Sequence, residues 1–199
     1  MKIKTYILLA AISTVAAPAS ARHFDLGSEL NYNRIGVGYE SDDFLNSMVI
    51  SGEAKLGSTL LVGGSYSDVT GKRDYDGFTG NIARFGLGAV ITAGPGDLIL
   101  RASYGQGNLR SNVELGVADE RSFGISYRAS LGNGFEGTLG YARVRTRMVG
   151  DWLQISNDNV VRASIRYNFS QTLDLTLTYA SQSKDVGGDS FGASLGFSF

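Results

Sequence analysis

The stretch DSFGASLGFSF, residues 189 to 199, decides the fold. Taken alternately, Phe191, Ala193, Leu195, Phe197 and Phe199 form an apolar file, while Ser190, Gly192, Ser194, Gly196 and Ser198 form a small, polar one. An extended chain sends successive side chains to opposite faces, so this is a ribbon with one oily and one wet side. Left as a sheet edge in water it is an aggregation hazard. Closing the sheet into a barrel with the oily side toward lipid removes that hazard.

The same alternation runs back through the chain. Rising segments carry the files Leu60, Val62, Gly64, Tyr66; Leu98, Leu100, Ala102, Tyr104; Phe135, Gly137, Leu139, Tyr141; and Leu173, Leu175, Leu177, Tyr179. The closing tyrosines recur about every 37 to 38 residues, one long hairpin per period. Descending files lie between them: Phe85 to Ile91, Phe123 to Leu131 and Val161 to Phe169. Ile35, Val37 and Tyr39 give a first strand, and Met48, Ile50, Gly52, Ala54 and Leu56 a second. Phe24, Leu26, Leu30 and Tyr32 alternate in the opposite parity, which calls for a bulge or a separate segment near Asn33. The apolar spacing is two, not three and four, so the repeat is not a helical solenoid.

Tight reversals are expected at Gly57-Ser58, Ala93 to Gly96, Gly132-Asn133-Gly134 and Ser170-Gln171-Thr172, from their Gly, Asn and Pro chemistry. Longer polar loops are expected near residues 40–46, 68–77, 108–119, 147–158 and 182–188. The fold class is therefore all-β: a transmembrane antiparallel up-and-down barrel of about ten strands, with eight as the alternative if the first hairpin and another are irregular. Tyr39, Tyr66, Tyr104, Tyr141 and Tyr179 mark an aromatic girdle at the loop ends, and Phe135, Phe169, Phe197 and Phe199 one at the turn ends.

Composition agrees. The 199 residues contain 27 Gly, only 2 Pro and no Cys, and the formal net charge is −1. Without Cys there is no disulfide scaffold, thiolate metal site or Cys nucleophile. The near-neutral total gives no reason to expect nucleic acid. Residues 1–21 read as a secretory signal peptide: Lys2 and Lys4, an apolar run from Tyr6 to Ala17, then Ala19-Ser20-Ala21 as cleavage site. That leaves 22–199 as a single barrel domain, and no other run is long and apolar enough for a spanning helix.

The parity opposite to the oily files assigns Arg34, Glu53, Lys55, Arg84, Arg101, Arg128, Glu136, Arg162, Arg166 and Asp174 to the lumen. Charges there must be paired or wet. Either they plug the barrel and fix its register, or they line a narrow pore whose basic excess would favour anions. Arg143, Arg145 and Arg147 follow Tyr141 in outward parity, where lipopolysaccharide phosphates would be within reach; solvated loop-base charges, or a bulge turning them inward, are the other readings. Catalysis is not expected. His23 is the only His and lies beside the cleavage site on the turn side, without a Ser or Asp partner near it in sequence. Asp42-Asp43 and Asp74 with Asp76 are read as solvated loop acids, so neither a metal nor any other cofactor is expected, and Trp152 is the one large loop side chain able to anchor a partner.

The ending of the chain resembles the C-terminal signal by which Gram-negative outer-membrane barrels are recognised for assembly, here carried by Phe191, Leu195, Phe197 and Phe199. In that pattern a Gly stands five residues before the end; this chain has Ser194 there, flanked by Gly192 and Gly196. Together with the signal segment and strand ends such as Gly38-Tyr39, Ser65-Tyr66 and Gly140-Tyr141, the mature chain resembles small outer-membrane barrels of the outer membrane protein A-like or opacity-type porin-like kind. The resemblance implies a cell outer-membrane location and contact with outer-membrane lipid, lipopolysaccharide and the barrel assembly machinery. It identifies an architecture more than a function: a structural or surface-interaction role is expected, with a narrow passive porin-like channel as the alternative, and tethering to the cell wall by a peptidoglycan-binding domain is not implied.

Overall fold

The computed structural model describes residues 30–72, 77–110, 115–149, 154–182 and 189–199. Residues 1–21, expected to be a signal peptide, and His23, Phe24, Leu26, Asp74, Asp76 and Trp152 lie outside the described residues. Ten strands follow in order: β1 (Arg34–Ser41), β2 (Leu45–Leu56), β3 (Leu60–Gly71), β4 (Thr79–Ala93), β5 (Gly96–Arg110), β6 (Leu115–Gly132), β7 (Phe135–Val149), β8 (Gln154–Asn168), β9 (Leu173–Gln182) and β10 (Ser190–Ser198). Each pairs antiparallel with its sequence neighbours, and β10 returns to β1, closing the barrel. The eight-strand alternative is therefore ruled out.

Closure joins the two oily files at the seam: Ile35 lies opposite Phe197, Val37 opposite Leu195 and Tyr39 opposite Ala193. The turns are those the sequence specifies. Asn133 and Gly134 both have positive φ, 52° and 80°, as a two-residue type I′ hairpin requires. Gly94, at φ 64°, precedes Pro95 in the type II′ pattern, closing the ladder with Ala93 opposite Gly96.

Every oily file faces outward. Phe191, Phe123 and Leu139 are 65%, 63% and 62% exposed, and Ile35, Met48, Leu87, Ile165, Leu177 and Phe197 are likewise on the outside. Such a surface is incompatible with water and suited to lipid. On β10 the band from Phe191 to Phe199 covers nine residues, ~30 Å of strand, which at a ~40° tilt spans ~23 Å of bilayer.

The strands are longer than the sequence reading expected. The segments taken as long loops mostly continue the ladder: β5 runs to Arg110 and β6 starts at Leu115, so most of 108–119 is strand. Beyond the tyrosine ring the polarity of the wall reverses without any change of parity. Asp68, Gln106, Asn108, Asp119, Asn157 and Asn159 now point outward, with Val117 and Ile155 as apolar exceptions. Leu45, Val69, Phe78, Ile82, Leu109 and Ala118 pack inside, with Phe44 against them. Above the ring the wall is polar without, and on the β2 to β6 side an apolar cluster packs within.

At the opposite end Leu30–Asn33 forms no strand. Tyr32 turns into the lumen and packs with Leu61, Val90, Ile99 and Leu30. Asn33 pins this entry: its side-chain oxygen accepts from the Lys55 N–H at 3.0 Å and its carbonyl from the Phe199 N–H at 3.2 Å. The change of parity near Asn33 is thus a separate inner segment.

Candidate functional site

The lumen is the first candidate. All ten charged residues assigned to it by parity face inward. Arg34 donates to both oxygens of Asp174, from Nε at 2.9 Å and Nη2 at 2.6 Å. Arg128 meets Glu136 at 2.6 Å, and the Asn168 amide donates to the other Glu136 oxygen at 2.9 Å. Arg166 lies between these two pairs, 3.8 Å from Glu136 and 3.6 Å from Asp174, and donates to the Thr176 hydroxyl at 3.1 Å. Arg101 binds Glu53. Arg34, Asp174, Arg128 and Glu136 are at most 1% exposed, so these four side chains are shielded from bulk water.

Tyr32 belongs to the same layer. Its hydroxyl donates to Asp97 at 2.7 Å, and Arg128 and Lys55 stand over its ring at 4.8 and 5.5 Å. Higher in the barrel, Arg84 forks onto both oxygens of Glu120 at 3.0 Å and reaches the Ser67 hydroxyl at 3.2 Å. Arg162 approaches Glu40 at 3.8 Å, and Ser190 donates to the same carboxylate at 2.8 Å.

Glu40, Asp97, Glu120 and Asp158 are inward acids that the sequence reading left out. They share the inward parity of Arg34, Arg101, Arg128 and Arg162 on their own strands, but Glu40 and Asp158 lie in expected loops, and Asp97 and Glu120 one residue beyond an expected turn and an expected loop. Their presence corrects the charge balance. On the ten strands, seven basic side chains (Arg34, Lys55, Arg84, Arg101, Arg128, Arg162, Arg166) face seven acidic ones (Glu40, Glu53, Asp97, Glu120, Glu136, Asp158, Asp174) among the described residues. The basic excess that pointed to anions is absent.

Between the two charged layers lies a chamber of about 220 Å³. Glycines 63, 86, 88, 124 and 140 and hydroxyls of Ser51, Ser65, Ser126, Thr138 and Thr178 line it, with Arg101 and Arg162 at its edges. Short side chains leave the middle of the barrel open while long ones fill both ends.

No family model matches the chain, and no curated protein matches it. The solved structures that resemble it include a porin, an autotransporter translocator domain and an outer-membrane protein. The KdgM porin shares 10% identity at a TM-score of 0.44, over 83% of this chain and 99% of that one. The translocator domain of the autotransporter NalP from Neisseria meningitidis shares 11% at 0.46, over 98% and 94%. A loop-deleted OmpT of Vibrio cholerae shares 14% at 0.40, over 89% of this chain; the chain spans 66% of that protein's length, just under two thirds. These are likenesses of fold.

The rim is the second candidate. The girdle tyrosines are anchored from above: Tyr104 donates to Asp119 at 3.1 Å, Tyr141 to Asn159 at 2.7 Å and Tyr179 to Asp189 at 2.7 Å. Each ring lies on the oily band while its hydroxyl reaches the polar wall, the arrangement suited to a headgroup interface. The Tyr179 hydrogen bond holds the Asp189 carboxyl below the usual carboxylate range. Arg143, Arg145 and Arg147 are outward and exposed on β7, so no bulge turns them inward, and they belong to the strand, not a loop base. Asp42, expected to be a solvated loop acid, is buried; its carboxylate accepts the Phe44 and Leu45 N–H groups at 2.7 Å each. Burial pushes its pKa up, against the pull of those two amides and of Lys72.

Proposed function

We propose that the chain is a non-enzymatic integral barrel of the Gram-negative outer membrane. On this reading it is exported by the signal segment 1–21 and inserted by the assembly machinery through Phe191, Leu195, Phe197 and Phe199. Its role is structural or surface-interacting, with the lumen serving as internal scaffold. The observation that carries this is the buried layer of Arg34, Asp174, Arg128, Glu136 and Tyr32, in which the lumen charges neutralise one another. Each of the six lumen arginines reaches a carboxylate, so five of the seven lumen carboxylates are engaged in ion pairs, while Asp97 and Asp158 accept from the hydroxyls of Tyr32 and Ser156. We place it beside the outer membrane protein A-like and opacity-type barrels on its strand ends and terminal Phe. No role is carried over, because ten strands depart from the eight typical of outer membrane protein A-like barrels.

The chamber of about 220 Å³ favours a second reading, a narrow passive channel for small solutes. With seven charges of each sign it would have little preference between anions and cations. Planar-bilayer recording separates the two. Folded protein, verified by heat-dependent migration on a denaturing gel, is expected to give no stepwise conductance; regular steps would overturn the scaffold reading in favour of the channel.

A further inference from the structure

Immediately beyond the tyrosine ring, two adjacent strands present four exposed arginines on the outer wall: Arg121 on β6 and Arg143, Arg145 and Arg147 on β7. The ladder sets Arg121 directly opposite Arg145, and Arg143 opposite Phe123. Like charges placed directly opposite on one face of an antiparallel pair repel each other. The nearest acid in the ladder, Asp119, lies opposite Arg147 and accepts the Tyr104 hydroxyl; none of the four guanidiniums forms an ion pair among the described residues. On the other flank β8 offers only neutral Asn157 and Asn159, opposite Arg145 and Arg143. Inside the barrel the opposite holds, since every arginine there has its carboxylate.

Opposed residues stand ~5 Å apart and same-face neighbours along a strand ~7 Å apart, so Arg121, Arg143 and Arg145 can converge on one phosphate-sized group. Directly below them on the same face lie Phe123, Ile125, Leu139 and Tyr141, a continuous apolar track into the bilayer. An anion alone would use the arginines but not the track.

We propose that this face is a binding site for a phosphorylated outer-leaflet glycolipid, its phosphate held by Arg121, Arg143 and Arg145 and an acyl chain lying along Phe123 and Leu139. The site rests on the membrane reading of the barrel.

The test uses the full mature chain, folded into phospholipid vesicles containing either diphosphorylated lipid A or the same lipid stripped of phosphate. The lipid retained is measured after extraction into mild detergent. Wild type is expected to retain the phosphorylated form at least tenfold better than the stripped one. Arg121→Gln/Arg143→Gln/Arg145→Gln is expected to lose that preference while keeping its heat-shifted migration, and Arg110→Gln, exposed on β5 away from the cluster, to keep it. Equal retention by wild type and the triple variant overturns the site. Full competition by millimolar inorganic phosphate would mean a free-anion site and overturns the lipid assignment. Failure of the chain to insert at all would strike the membrane reading instead.

Discussion

Arg34 and Asp174 sit on strands that are not neighbours, β1 and β9, yet form a two-pronged ion pair at 2.9 and 2.6 Å across the intervening β10. The guanidinium crosses β10 at Gly196, where a Cβ would fall inside it, and Gly36 beside it leaves only 3.1 Å to Arg34 Nη1. Two glycines thus let one arginine brace the seam at which the barrel closes.

Removing one partner of a buried pair costs about 3–5 kcal/mol, because the other charge is left uncompensated. Asp174→Ala is expected to lower the urea midpoint in lipid vesicles more than Arg34→Met, since Asp174 also serves Arg166 and Thr176. Gly196→Ala should destabilise the barrel without touching either charge. Gly192→Ala on the same strand, where a Cβ meets nothing nearer than 3.4 Å, should stay within ~0.5 kcal/mol of wild type. Equal midpoints for the two glycine variants would remove the brace.

Tyr32→Phe keeps the ring under Arg128 and deprives buried Asp97 of its donor, an expected loss of about 1.5–3 kcal/mol. Tyr32→Ala also gives up packing on Leu61, Val90 and Ile99 and should cost more, about 3–5 kcal/mol. Urea unfolding of the two variants checks the order; a silent Tyr32→Ala would mean the inner segment does not hold the turn-side end.

Asp42 supplies a pH test outside the membrane span. Its folded pKa is raised, so the folded state binds the proton more tightly, and stability falls as pH rises from the unfolded pKa to the folded one. Asp42→Asn keeps an acceptor for Phe44 and Leu45 without the charge. Its stability relative to wild type should be near zero in acid and become favourable as pH rises to ~7. Asp42→Ala, which loses the acceptor, should cost about 0.5–2 kcal/mol at either pH. Urea midpoints at both pH values check this, and a less stable Asn variant at neutral pH contradicts it.

The period of two made the strands readable because lipid and lumen impose opposite demands on alternate residues: all the oily files and all ten lumen charges fell on the expected faces. The same rule failed above the tyrosine ring. There water is outside and an apolar cluster inside, so Leu109 and Ala118 read as stray residues in a polar loop when they are the inner face of a continuing sheet. Glu40 fell in the expected loop 40–46 and Glu120 one residue past the expected loop 108–119, so neither was assigned to the lumen, and its charge balance was lost with them. Arg121 was missed because its significance lies in its partner across the ladder, Arg145, and register is a property of the paired strands.

The central claim is that the wall is oily outside below Tyr141 and polar outside above it, with no change in which residues face out. The chain has no Cys, so single cysteines can be placed along β7 and spin-labelled in vesicles. Labels at 137 and 139 should be reached by dissolved oxygen from the bilayer, labels at 143, 145 and 147 by a water-soluble nickel chelate, and labels at 138 and 140 by neither. A label at 139 open to the chelate, with 138 and 140 open to oxygen, would contradict the account.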